Sequence, residues 1–303
     1  MSVVPFGERL ARAVDAVGAP VAVGLDPHLE RYPRALRALF EGRTGAEGRA
    51  AAAEAIRRFD GCAIDALAGR VAAVKPQFAF YEQLGAPGWV ALEATVARAR
   101  ARGLLVVGDA KRGDISTTAA AYASAALDPD GPLGCDALTV NPWMGFDTLE
   151  PFLKVCRRAG RGIFVLVRTT NPGSADLQRW GAPTGAERVA DAVARLGEAL
   201  TGERGLSSVG AVVGAQVPLD EQRALRQRMP AAWFLVPGVG AQGAGPAEAL
   251  GGARSDGLGS LVVASRSVLF AEGPEQADEA DFVEGIAQRA EELVASVKAA
   301  RAG

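Results

Sequence analysis

The 303-residue sequence predicts an α/β protein of the (β/α)8 TIM-barrel type, a single domain with helical insertions. Three observations carry that expectation. Short apolar runs alternate with stretches of helical spacing, the pattern of parallel strands joined by crossover helices. The runs end on Gly, Pro, Asn or charged residues, as strands do on reaching loops. No low-complexity linker divides the chain. A doubly wound open sheet fits the same alternation, but no G-x-G-x-x-G turn follows the first strand, which weakens its dinucleotide-binding form.

Residues 5–17 have the spacing of a short amphipathic helix and lead into strand one at 21–26. Residues 29–69 are Ala- and Arg-rich, interrupted at 42–48, and predict two helices. Strand two covers 71–78, a helix 89–102, and strand three 104–110. Helix 117–127 precedes strand four at 137–141, and helix 146–159 precedes strand five at 162–168. Helix 186–201, strand six at 209–214, helix 219–229, strand seven at 233–237 and strand eight at 261–264 follow. The last helix spans 278–299, and residues 29–69 and 172–187 read as insertions on the barrel.

Composition narrows the function classes. An apolar share of 49% with 22% charged residues describes a globular protein with ample core. A net charge of −2 speaks against a nucleic-acid surface. No apolar run is long enough to span a membrane, and residues 1–12 carry Glu8 and no long apolar core, so neither membrane partner nor signal peptide is expected. Cys62, Cys135 and Cys156 lack ligand spacing and read as buried thiols of a reducing compartment, which makes the cytoplasm the expected location. His28, the single histidine, excludes His-rich metal sites and suits a loop role.

The chemistry gathers around Gly108-Asp109-Ala110-Lys111-Arg112-Gly113-Asp114-Ile115, directly after an apolar strand. Extended residues alternate faces, so Asp109 and Lys111 can point the same way. An ammonium held by carboxylates stays charged and fixed in place, which suits a proton donor to a carbon that develops negative charge. An exposed ion-pair cluster has the same composition, and such clusters are common. In a barrel, however, the C-terminal strand ends share the face that carries chemistry. Here those ends bring together Asp26, Lys75, Asp109 with Lys111, Asn141, and Arg168 with Thr169 and Thr170.

The last two strands add a second signal. Pro237-Gly238-Val239-Gly240-Ala241-Gln242-Gly243 follows strand seven and Ser265-Arg266-Ser267 follows strand eight. Barrels often hold phosphate between these loops, where glycine lets backbone N–H groups approach and Arg266 and Gln242 offer side-chain donors. Tyr81, Phe78, Phe80 and Trp143 can stack a base, but aromatic residues at strand ends more often pack, and they are left out of the site.

Asp-Ala-Lys-Arg-Gly-Asp-Ile resembles the signature of the orotidine 5′-phosphate decarboxylase family. The likeness extends to Gly24-Leu25-Asp26-Pro27, Lys75-Pro76-Gln77-Phe78, Val167-Arg168-Thr169-Thr170-Asn171-Pro172-Gly173, the loop through Gln242, and Ser265-Arg266-Ser267. The order and the long inserts are similar to the larger bacterial subgroup.

The resemblance implies a decarboxylation without metal or organic cofactor, run by an alternating array of Lys75, Asp109, Lys111 and Asp114. Lys111 would protonate the ring carbon while Asp109 sits against the substrate carboxylate. Asp26 and Lys75 would hold the ribose, Thr170 the pyrimidine, and Gln242 and Arg266, with the loop from Pro237, the phosphate. Asp114, Ile115 and Thr118 would complete the pocket of a second subunit, making a homodimer obligatory. Two alternatives stand beside this: a metal-dependent sugar-phosphate decarboxylase or aldolase of the same superfamily, and a non-catalytic phosphoribosyl-binding barrel. Lys75 on strand two would repel a metal, and the presence of all four charges speaks against a silent relative.

Overall fold

The computed structural model describes residues 3–240, 243–270 and 279–302. Strands β1 (Val21–Leu25), β2 (Ala73–Pro76), β3 (Leu105–Arg112), β4 (Ala137–Val140), β5 (Gly162–Arg168), β6 (Val209–Val213), β7 (Phe234–Pro237) and β8 (Ser260–Ala264) close a barrel in chain order. All pairings are parallel, and β8 returns to β1 through Val21↔Val262 and Val23↔Ala264.

Helix α1 (Phe6–Val17) precedes the barrel. Helices α2 (Arg34–Arg37) and α3 (Gly45–Leu67) follow β1, and α4 (Phe78–Glu82) and α5 (Ala86–Ala101) follow β2. The remaining crossovers hold α6 (Ser116–Leu127), α7 (Glu150–Ala159), α8 (Ala175–Gln178) with α9 (Gly185–Gly197), α10 (Leu219–Arg228) and α11 (Pro246–Ala249). After β8 come α12 (Arg266–Leu269) and α13 (Glu279–Ala302).

The strands are apolar on both faces because both are covered. Val21, Val23, Leu25, Val74, Val106 and Leu138 point outward into the layer shared with the helices. Ala22, Ala73, Val107, Ala137, Phe164, Leu235 and Val263 fill the lumen. Helix α1 closes the N-terminal end: Phe6, Leu10, Ala11 and Val14 join the lumen cluster. Its close approach depends on Gly7, where a Cβ would meet the Ser207 carbonyl oxygen at 2.6 Å. Trp233 Nε1 donates to the Gly7 carbonyl at 3.2 Å, fixing the contact.

Every expected strand forms, with shifted edges. β2 stops at Pro76 because the chain turns into α4, and β3 runs on to Arg112. Within 29–69 the first of two expected helices is reduced to the four-residue α2, while α3 begins at Gly45, inside the expected break. Helix 89–102 starts earlier, at Ala86. The final helix extends to Ala302, and its expected first residue, Asp278, lies outside the described residues. Helices α4, α8, α11 and α12 were not expected, since a single turn holds too little periodicity to read. Among the described residues no helix is long and apolar enough to cross a membrane.

Candidate active site

At the C-terminal end of the barrel the strand ends converge on Asp109. This carboxylate is buried and takes two donors on each oxygen. Lys75 Nζ lies 2.8 Å and Gln77 Nε2 2.9 Å from Oδ2. Lys111 Nζ lies 2.6 Å and the Thr139 hydroxyl 2.9 Å from Oδ1. The arrangement fills the acceptor capacity of an ionised carboxylate from β2, β3 and β4 together.

The electrostatics follow from that geometry. Burial alone would raise the Asp109 pKa, but the Lys75 and Lys111 ammoniums outweigh it and hold the carboxyl well below its ordinary range. Burial likewise opposes the charge on Lys75, yet Asp109 and Asp26 overcome it and raise that pKa. Asp26 Oδ1 stands 3.9 Å from Lys75 Nζ and is buried without a hydrogen-bond partner among the described residues. Lys75 is therefore locked between carboxylates. Lys111, with 43% of its side chain exposed, opens toward the cavity instead.

That cavity measures about 260 Å³. Asp26, Lys75, Asp109, Lys111, Thr170 and Pro237 line it, as the sequence leads one to expect. Gln77, Thr139 and Thr169 join them, with Val212 and Leu235 as apolar floor. Thr169 was among the polar strand ends read from the sequence, whereas Gln77 and Thr139 were not assigned to the site. Gln77 was signalled by its place two residues after Lys75, on the same strand face. Thr139 was signalled as the polar member of an otherwise apolar strand.

Arg266 opens α12, and its guanidinium makes no ion pair or side-chain hydrogen bond among the described residues. The loops after β7 and β8 touch: at Gly240, φ 77°, a Cβ would lie 2.8 Å from Ser267 Oγ. Gln242 lies outside the described residues.

Asp114, Ile115 and Thr118 do not line the cavity of their own chain. Asp114 accepts from the Ile115 amide at 2.7 Å, and Ile115 is 57% exposed at the start of α6. The array that forms within one chain is thus Lys75, Asp109 and Lys111.

Arg168, which the sequence groups with the polar strand ends, instead turns away from the cavity. It donates to Glu221 at 2.7 Å and to Ser174 at 2.8 Å, tying β5 to α10 and the 172–187 insert. Gln178 of that insert clamps Thr169, accepting from its amide and donating to its hydroxyl, both at 2.8 Å. Tyr81 packs as expected, its hydroxyl on Asp60. His28 sits in a loop against Phe80 and 3.3 Å from Glu30. Among the described residues the cysteines form no disulfide; Cys135 and Cys156 are buried as expected, whereas Cys62 is only partly buried, and burial pushes the thiols of Cys135 and Cys156 up to about 12. Among the described residues no group of three His, Cys, Asp or Glu side chains is placed to hold a metal ion.

Fold and site define the class: a barrel enzyme whose strand ends hold an ammonium–carboxylate–ammonium array beside a small polar cavity. Residues 21–280 match the Orotidine 5'-phosphate decarboxylase / HUMPS family. The chain is 42% identical over 292 residues to the orotidine 5'-phosphate decarboxylase of Rhodopirellula baltica, covering 93% of this chain and 95% of that protein. It is 50% identical over 211 residues to that of Deinococcus radiodurans, covering 69% and 75%. The structure of Leishmania donovani OMP decarboxylase superposes with a TM-score of 0.73 at 32% identity, covering 99% of both chains. This chain belongs to the Orotidine 5'-phosphate decarboxylase / HUMPS family.

Proposed function

We propose that this protein decarboxylates orotidine 5′-phosphate to uridine 5′-phosphate and carbon dioxide, a step of de novo pyrimidine synthesis, as one barrel domain spanning residues 1–303. The observation that carries the reading is Asp109 bridged between Lys75 and Lys111 at 2.8 and 2.6 Å. The C6–carboxylate bond breaks, its electron pair stays on C6, and the Lys111 ammonium gives C6 a proton; solvent then recharges Lys111. A cation fixed beside the carbon where charge appears stabilises the transition state more than the ground state. Asp109 faces the substrate carboxylate, and departure of neutral carbon dioxide relieves that repulsion. No metal or organic cofactor is required by these steps.

Asp26 and Lys75 bind the ribose hydroxyls and Thr170 the pyrimidine ring. Arg266 and Gln242, with the turn from Pro237, hold the phosphate. Arg266 makes no ion pair among the described residues, which leaves its fork available for an anion. Asp114, Ile115 and Thr118 complete the site of a second subunit, so the active species is a homodimer. Their position outside their own chain's cavity supports this, as does exposed apolar surface at Ile115, Tyr122, Trp143 and Met144. The protein works in the cytoplasm, a reading supported by the buried thiols of Cys135 and Cys156. A metal-dependent sugar-phosphate enzyme is disfavoured because the buried Lys75 ammonium occupies the strand-two position where a cation would have to bind.

The test mixes purified protein with orotidine 5′-phosphate and a chelator and follows ultraviolet absorbance as uridine 5′-phosphate forms. Conversion at full rate is expected. No conversion by folded, dimeric protein, with turnover of a sugar phosphate once magnesium is added, would overturn the reading.

A further inference from the structure

Strands β3 and β4 pair at Gly108↔Leu138 and again at Arg112↔Val140. Between those points β3 advances four residues (108 to 112) while β4 advances two (138 to 140). The surplus is the arc carrying Asp109, Ala110 and Lys111. It leaves the ladder, and Lys111 adopts φ 48°, a left-handed conformation that non-glycine residues rarely take. A lysine there needs something outside its own backbone to hold it.

Thr139 faces the arc. Its hydroxyl accepts the Ala110 amide at 3.0 Å and the Lys111 amide at 2.9 Å, replacing the carbonyls that a regular ladder would have offered. Those two bonds use both lone pairs of the hydroxyl oxygen. Its proton then has one direction left, Asp109 Oδ1 at 2.9 Å, the same oxygen that lies 2.6 Å from Lys111 Nζ. The residue is 1% exposed, so water offers no competing partner. One side chain thus fixes both ends of the proton donor, its backbone and the carboxylate that aims its ammonium.

We infer that Thr139 is a positioning residue for proton delivery by Lys111, the hydroxyl that sets the left-handed arc and orients Asp109. The inference rests on the decarboxylase reading for its kinetic consequence, though not for its structural one. A purely structural role, filling a gap in the β3–β4 ladder, would change stability and leave the rate of the folded enzyme intact.

Thr139→Val keeps the shape and removes all three hydrogen bonds, and Thr139→Ser restores the hydroxyl. We expect kcat for orotidine 5′-phosphate to fall about 100-fold in Thr139→Val, the scale of a misplaced catalytic group, with KM and uridine 5′-phosphate affinity within about threefold. Thr139→Ser should recover to within about fivefold of wild type, because the hydroxyl alone supplies the geometry. If Thr139→Val does not fold, Thr139→Cys, similar in size but a weak acceptor, takes its place under the same expectation. Wild-type kcat in the folded variant, or an equal loss in Thr139→Ser, overturns the inference. A crystal structure of the variant separates this from the parent reading. Lys111 leaving φ 48° or its contact with Asp109 supports Thr139 as the positioning group even if the wild type proves inactive on orotidine 5′-phosphate. An unmoved Lys111 refutes it.

Discussion

At each end of the barrel a buried carboxylate, Asp136 or Asp109, lies between two cations, and the ends differ in which cations they use. At the N-terminal end Asp136 takes Arg9 at 2.6 Å and Arg161 at 2.7 Å on one oxygen, and the Val106 amide at 2.9 Å on the other. Arg9 is held further by the Gly160 carbonyl at 2.9 Å. At the C-terminal end Asp109 takes Lys75 and Lys111. Guanidinium is a delocalised fork that keeps its proton at every accessible pH, so the lower cluster can only clamp α1 to the strands. Ammonium is a compact charge with a transferable proton. One of the upper pair, Lys111, also faces open space. A carboxylate between two cations therefore serves different ends, and the chemistry of the cation decides which.

The comparison breaks most sharply at Lys111. Lys111→Ala should lower kcat by about 10⁴-fold, the combined scale of a lost general acid and a lost electrostatic stabiliser. Binding of uridine 5′-phosphate, followed by titration, should stay within about tenfold, since the donor acts on the transition state. A parallel collapse of binding would mean that the upper cluster is a structural clamp like the lower one.

Asp136→Asn probes the other end. Removing one partner of a buried ionic cluster strands the remaining charges, and the expected loss is about 4 kcal/mol of unfolding free energy by urea titration. The kcat of the folded fraction should not change, because Asp136 precedes β4 at the N-terminal end of the barrel and does not line the cavity. A reduced kcat with intact stability would put the two ends in the same role.

Much of this contrast was legible in the sequence at one end only. Asp109 and Lys111 announce themselves because charged residues directly after the apolar run 104–107 have no packing explanation. Asp136 also precedes an apolar run, but its partners Arg9 and Arg161 lie 127 and 25 residues away and no local pattern joins them. The strands were readable because lumen and helix layer make both of their faces apolar. The short helices α4, α8, α11 and α12 were not, being fixed by tertiary contacts such as the Arg289 guanidinium on the Val268 carbonyl at 2.8 Å. Thr139 escaped notice because its value depends on a register shift, which belongs to two strands at once.

A third buried carboxylate sharpens the contrast further, because it has hydroxyl donors and no ion pair among the described residues. Asp60 on α3 accepts from Tyr81 at 2.6 Å and Thr95 at 2.8 Å. Burial pushes its pKa up to about 6, with Asp26 adding to the rise and the two hydroxyls opposing it. The folded state then binds the proton more tightly than the unfolded chain, whose carboxyl titrates near 3.8. Its contribution is most favourable below that lower value and declines by about 3 kcal/mol as pH rises from there through 6. This is opposite in sign to Asp109, whose depressed pKa adds stability above the ordinary carboxylate range and loses it in acid. Asp60→Asn retains an oxygen that accepts both hydroxyls and cannot titrate. Relative to this variant, the wild type should therefore lose about 3 kcal/mol of stability between pH 3 and 7, read from urea unfolding at intervals across that range. A flat difference would show that Asp60 is compensated by a cation after all, as Asp109 and Asp136 are.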